Sequence, residues 1–162
     1  MTLARYTAAL LVTSALSSAT PAYAHHSFAM YDRSITYVLT GVVVNINPDP
    51  SHLQILFVPL NANRDALVRD ATGERIVWNV EMESAAASAQ EGITASTFTR
   101  GTVISVGLTP LRNGEPGGSR TGALFKCPQD QPPAAGMHCD SVADATQHGD
   151  GELAEPTQTW SP

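Results

Sequence analysis

Two adjacent histidines, His25 and His26, offer the most distinctive chemistry in this sequence. They directly follow a short basic and apolar leader that ends in Ala-Tyr-Ala, the pattern of a secretory signal peptide over residues 1–24. Cleavage after Ala24 would leave His25 as the first residue of the mature protein. Its α-amino group and imidazole could then chelate one metal ion, with His26 alongside. Among the divalent ions copper(II) binds such nitrogen ligands most tightly, so the pair predicts a copper or other transition-metal site.

A third imidazole, His52, follows the turn motif Asn-Pro-Asp-Pro at 47–50. It joins the predicted metal site if the fold brings this turn beside the N-terminus. The alternative is that His25 and His26 are ordinary exposed polar residues at a processing junction, and the sequence leaves both interpretations open. His138 and His148 lie in an acidic segment that is better described as a solvated tail than as a second metal site.

The chain contains two cysteines, Cys127 and Cys139. Their spacing is too wide for a Cys-x-x-Cys redox motif, and a nearby pair in an exported chain usually forms a disulfide. We therefore predict a Cys127–Cys139 disulfide, which would add ~3 kcal/mol of stability by the loop-entropy argument.

The charge of the chain is unevenly distributed. The formal net charge is −6, and residues 127–162 contain acidic side chains but neither lysine nor arginine. Because the sequence has no basic patch to displace counterions from phosphate, it does not predict nucleic-acid binding. The apolar run of the leader is far shorter than the roughly 20 residues of a membrane span, so no membrane span is predicted either.

Alternating apolar residues predict five strands and one short helix. The strand candidates cover residues 35–47, 53–57, 76–82, 104–108 and 123–126. The helix covers 84–90, between the third and fourth strands, with Ser84 as its N-cap. Within the first strand the apolar parity changes at Gly41, which predicts a β-bulge at that position.

This order of elements is typical of a small five-stranded OB-like barrel, an all-β fold with one short helix. An antiparallel β-sandwich is the alternative. We predict three parts along the chain: a signal peptide over 1–24, an OB-like β domain over 25–126, and an acidic, largely disordered tail over 127–162 that carries the disulfide loop.

Several motifs resemble those of one family of small exported bacterial proteins, domain-of-unknown-function family 6152. They are His-His-Ser-Phe-Ala-Met-Tyr-Asp at 25–32, Leu-Thr-Gly-Val-Val at 39–43, Trp-Asn-Val-Glu at 78–81 and Pro-Leu-Arg-Asn-Gly-Glu-Pro-Gly-Gly at 110–118. The family typically reads Asn-Pro-His, whereas here three residues separate Pro48 from His52. The resemblance implies export and a compact β domain, and it supplies no activity.

Together these features predict a periplasmic or secreted binding protein without enzymatic activity, which holds copper or another transition metal at its mature N-terminus. No catalytic residue is assigned. A copper-dependent redox enzyme that uses His25 as a ligand is an alternative, which would need a further histidine and an open coordination position. A second alternative is a protein-interaction module that binds a protein partner through a barrel face or an edge strand and uses no metal.

Overall fold

The computed structural model describes residues 28–162, so His25, His26 and the predicted signal peptide lie outside the described residues. The strands and the α-helix are β1 Tyr37–Pro48, β2 Leu53–Pro59, β3 Trp78–Glu81, α1 Ala85–Gln90, β4 Val103–Pro110, β5 Gly117–Lys126 and β6 Thr146–Leu153. Short 3-10 helices cover Phe28–Met30, Pro128–Asp130 and Cys139–Ser141.

Five of these strands close into a barrel. β1 pairs antiparallel with both β2 and β4, β2 pairs antiparallel with β3, and β4 pairs antiparallel with β5. The parallel pairing of β3 with β5 completes the circle. The order β1-β2-β3-β5-β4 confirms the OB-like barrel predicted from the sequence, rather than the alternative sandwich.

The barrel interior is filled by alternate residues of its strands, as the apolar periodicity predicts. The largest fully buried side chains include Trp78, Phe57, Ile55, Ile104 and Leu124. Trp78 makes edge-to-face contacts with Tyr37 and Trp160, at ring-centroid distances of 6.1 and 5.3 Å. The second of these contacts ties the end of the chain to the barrel core.

The connection between β3 and β4 contains the predicted helix. The Ser84 side chain accepts a hydrogen bond from the Ala87 backbone N–H at 3.2 Å, which confirms the predicted N-cap. Six residues are too few for an independently stable helix, so tertiary contacts must hold α1 in place. Ser88 supplies one of these contacts, because it is buried and its hydroxyl donates to the Glu83 carbonyl at 3.3 Å.

The bulge predicted at Gly41 lies elsewhere in β1. The register with β2 shifts between Val43 and Asn45, and Val43 is fully buried with the same parity as Leu39. Gly41 is instead a position of close approach, because a Cβ atom there would lie 2.5 Å from the carbonyl oxygen of Val58. The apolar pattern therefore indicates a real change of parity in β1, but the bulge lies between Val43 and Asn45 and the prediction of Gly41 was wrong.

The acidic tail forms a sixth strand that the apolar pattern of the sequence does not predict. β6 pairs antiparallel with β5, and His148 on this strand is only 7% exposed. The His148 ring packs 4.8 Å from that of Phe98, and its Nδ1 lies 2.9 Å from the Glu91 carbonyl. Residues 146–153 therefore depart from the expected disorder. Backbone pairing and one buried histidine hold this strand, and a search for apolar periodicity detects neither.

Cys127 and Cys139 form the predicted disulfide, with a Cα–Cα distance of 4.9 Å. Both cysteines are fully buried and pack with Leu60 and Val103 in a small second core. The disulfide thus fastens the start of the tail to the outside of β4 and β5.

Candidate functional site

Strand register brings His52 beside Glu81. Gln54 lies opposite Glu81 in the β2–β3 pairing, and His52, two residues earlier, is a diagonal neighbour on the same face. The Nδ1 atom of His52 is 3.1 Å from Oε1 of Glu81 and 3.4 Å from the Met82 carbonyl oxygen. Both neighbours are acceptors when the carboxylate is ionised, so in the neutral ring Nδ1 carries the proton and Nε2 is the nitrogen suited to a metal ion.

The first described segment of the chain is fixed beside this site. Tyr31 forms an isolated antiparallel bridge with Leu111, and backbone hydrogen bonds of 2.8 and 2.9 Å flank the bridge on its two sides. The Arg112 guanidinium adds a hydrogen bond of 3.0 Å to the Ala29 carbonyl. The segment that follows the His-His motif is therefore held by residues 110–112, within the longest of the family-like motifs.

Tyr31 completes the cluster by donating its hydroxyl hydrogen bond to Oε2 of Glu81 at 3.0 Å. Tyr31 is 5% exposed. Burial, followed by the charge of Glu81 and this hydrogen bond, raises the pKa of Tyr31 to about 12. The phenol therefore stays protonated at physiological pH and can act only as a donor toward ionised Glu81. We call Tyr31, Glu81 and His52 the Glu81 cluster.

A cleft of about 590 Å³ opens beside this cluster. It is lined by Tyr31 and Glu81 together with Gln54, Asn79 and Glu115. The Oδ1 atom of Asn79 is buried and has no hydrogen-bond partner among the described residues. The cleft therefore contains one acceptor without a donor, Asn79 Oδ1, and the carboxylates of Glu81 and Glu115. This composition suits a cation or a hydrogen-bond donor better than an anion.

The cluster contains one of the three predicted metal ligands, His52, and the other two lie outside the described residues. Within residues 28–162, no group of three or more His, Cys, Asp or Glu side chains is arranged to hold a metal ion. His52 and Glu81 supply one imidazole and one carboxylate, so a complete site here would require His25 and His26. His138 and His148 do not join the cluster, because His138 hydrogen-bonds Thr40 and His148 packs on Phe98.

The sequence alone does not indicate Glu81 or Tyr31 as functional residues. Glu81 occupies a polar position in an alternating strand, which is typical of a solvent-facing residue, and only the register with β2 reveals its contact with His52. Tyr31 lies in the family-like motif that begins at His25, and this motif is the feature of the sequence from which a role for Tyr31 could have been predicted.

A model of a family of unknown function, DUF6152, matches residues 13–121. This chain belongs to that family. The match includes all three residues of the Glu81 cluster and ends before the two cysteines and β6. No curated protein and no solved structure matches the chain. In the part of the chain that the structure describes, no helix is long and apolar enough to cross a membrane.

Proposed function

We propose that this protein is exported to the periplasm and binds a transition-metal ion, with copper the first candidate, without catalysing a reaction. His25, His26 and His52 are the proposed ligands, and Glu81 orients the His52 ring. The observation that carries the proposal is the hydrogen-bonded chain from Tyr31 through Glu81 to His52, because it joins the N-terminal segment to the third predicted ligand.

Chain length supports a site assembled from these residues. His26 precedes Tyr31 by five residues, and five extended residues span at most about 17 Å. The backbone of residues 30–32 is fixed on the barrel beside Leu111, so the length of the chain allows the two N-terminal histidines to reach Glu81. The extra residues between Pro48 and His52 therefore do not remove His52 from their reach.

Electrostatics support a cation in the same place. A metal-binding histidine commonly donates its second ring N–H to a carboxylate, which fixes the tautomer and raises the basicity of the coordinating nitrogen. His52 has this arrangement with Glu81. The Tyr31 hydroxyl holds the other carboxylate oxygen, so the carboxylate remains directed toward His52.

Export is supported by the signal-peptide pattern over residues 1–24 and is compatible with the Cys127–Cys139 disulfide. The intact mass of protein recovered from the periplasmic fraction tests it. A mature chain that begins at His25 is expected. Any other N-terminus would remove the terminal chelate.

Copper(II) titration tests the metal site. We expect the mature protein to bind one Cu(II) more tightly than a variant that retains one extra N-terminal residue, because the extension moves the free amine away from His25. We also expect His25→Ala and His52→Ala each to weaken binding by about tenfold or more, since each removes a ligand nitrogen. His138→Ala, which removes an imidazole elsewhere, is the matched control.

The pattern of losses separates the candidate functions. A loss in His25→Ala alone indicates a terminal site without help from the barrel. Equal Cu(II) binding by the mature protein, the extended variant, His25→Ala and His52→Ala would contradict the metal site and favour the interaction module.

The cleft beside Glu81 favours one further candidate, a copper-dependent redox enzyme, because it leaves space for a substrate next to the carboxylate that contacts His52. Oxygen consumption by copper-loaded protein in the presence of ascorbate, compared with His52→Ala, distinguishes this enzyme from a binding protein.

A further inference from the structure

A second cleft, of about 610 Å³, lies on another part of the barrel and is lined by basic rather than acidic side chains. Its apolar walls come from β1, the end of β2, the loop that follows β2, and the C-terminal segment. The apolar residues that line it include Leu39, Pro59, Leu60, Leu67 and Trp160. Arg64, Arg69 and His138 also line it, whereas none of its described lining residues is an aspartate or glutamate.

Arg64 is a half-buried cation that forms no ion pair with any residue from 28 to 162. Its Nε donates to the Met137 carbonyl at 3.0 Å, and Nη1 donates to the Asn61 carbonyl at 3.2 Å. Nη2 lies 3.5 Å from Nδ1 of His138. No carboxylate of the described chain lies within ion-pair distance of Arg64, since the two ion pairs join other residues.

The remaining donors of Arg64 suit a carboxylate. A guanidinium has five N–H groups, and the three contacts above leave one on each terminal nitrogen. Two parallel donors of this kind bind the two oxygens of a carboxylate. Arg64 also has a left-handed backbone conformation, with φ of 63°, which is uncommon for a residue other than glycine, and its backbone N–H donates to the Asn61 carbonyl at 3.0 Å in a turn.

A directional hydrogen-bond network holds His138 beside Arg64. The Cys139 N–H donates to Ser105 Oγ at 2.8 Å, and Ser105 Oγ lies 2.6 Å from the Thr40 hydroxyl. Thr40 in turn lies 2.7 Å from Nδ1 of His138. Because Arg64 can only donate, Nδ1 is an acceptor, and the ring proton of neutral His138 is on Nε2. His138 thus adds an N–H donor to the lining of the cleft.

From this combination we propose that the second cleft binds a small organic carboxylate with an apolar body. The carboxylate pairs with Arg64 and His138, and the apolar body lies between Leu60, Leu67 and Trp160. Apolar walls with a few convergent polar groups are the usual composition of a small-molecule site, and the volume falls in the usual range. The site is independent of the proposed metal site, with which it shares no residue.

Isothermal titration with three eight-carbon probes tests this site on the mature protein. Octanoate is expected to bind about tenfold more tightly than octan-1-ol, and octylammonium is expected to bind no better than the alcohol, because only the carboxylate pairs with Arg64. Arg64→Gln should lower octanoate affinity to that of octan-1-ol. Arg69→Gln, which makes the same change of charge on the same cleft, should lower it by less than threefold.

Two results would overturn the proposal: equal affinity for octanoate and octan-1-ol in the wild-type protein, or equal losses in Arg64→Gln and Arg69→Gln. If Arg64→Gln does not fold, Arg64→Lys replaces it. It keeps the charge and removes the paired donors, so a loss of at least threefold is expected, and an unchanged octanoate affinity would contradict the carboxylate geometry.

Discussion

His52 directly precedes β2, and His138 lies in the tail that packs on the barrel, and the two histidines have opposite charged neighbours. His52 has the Glu81 carboxylate 3.1 Å from its ring, whereas His138 has the Arg64 guanidinium at 3.5 Å. An imidazole beside a carboxylate suits a cation, and an imidazole beside an unpaired guanidinium suits an anion. The same residue type therefore serves two different ligand chemistries, and the charged neighbour decides which one.

The two regions also differ in what holds them together. The Glu81 cluster is built by the barrel and the N-terminal segment, inside the part of the chain that matches the family. The second cleft takes His138 and Trp160 from the tail, which lies beyond that match and is fastened by the disulfide. A change to the tail should consequently affect the cleft and leave the cluster intact.

Removal of the disulfide has the largest expected effect. Cys127→Ala/Cys139→Ala should lower the free energy of unfolding by about 3 kcal/mol, because the unfolded chain regains the freedom of the open loop. Octanoate affinity should fall with it, since Cys139 is next to His138, while Cu(II) affinity stays within about twofold. Urea unfolding and the two titrations measure these effects. An equal loss at both sites would show that the two regions are coupled.

Glu81→Gln should have the next largest effect. The substitution keeps the size of the side chain and removes the charge that orients His52, so Cu(II) affinity should fall about tenfold. Glu83→Gln is the matched control, because Glu83 is an exposed carboxylate two residues away. Titration measures both affinities. Equal Cu(II) affinities of the two variants would show that Glu81 does not contribute to copper binding.

Glu81→Gln should also lower the pKa of Tyr31. The charge of Glu81 helps to raise that pKa to about 12, whereas burial remains in the variant, so the new pKa should lie between 10.0 and about 12. NMR of ¹³C-labelled tyrosine during a pH titration measures it. In the wild-type protein, stability should fall as the pH rises from about 10 to about 12, because the unfolded chain loses this proton first. An unchanged pKa in Glu81→Gln would contradict the contact.

The smallest effect concerns His138. Burial, followed by the charge of Arg64, lowers the pKa of His138 below 6.5, and the smaller opposing effect of the Asp140 charge does not cancel this shift. The unfolded chain therefore binds this proton first, and stability should fall as the pH drops below about 6.5. Arg64→Gln should raise the pKa of His138 toward its ordinary value, whereas Arg69→Gln should leave it unchanged. Histidine NMR titrations measure both, and equal shifts in the two variants would mean that Arg64 has no particular effect on this ring.

The sequence predicted the barrel because alternation reports which side of a strand is buried. Ile55, Phe57, Trp78 and Val80 all lie in the core, and the Ser84 cap lies where the sequence indicates. The same reasoning did not detect β6, whose glycine-rich and polar sequence lacks alternation and which is held by backbone pairing to β5. The apolar alternation also places the start of β5 at residue 123, whereas the strand begins at Gly117.

The sequence by itself determined the strands, the short helix and the disulfide, because periodicity, capping and cysteine spacing are local properties. Only the tertiary structure decided which polar side chains meet. Glu81 meets His52 through the register of β2 with β3, and Tyr31 meets Glu81 because the N-terminal segment pairs beside Leu111. Arg64 and His138 are 74 residues apart and approach each other through the fold of the tail. Register and long-range closure depend on the sum of all barrel contacts, and no short stretch of sequence contains that information.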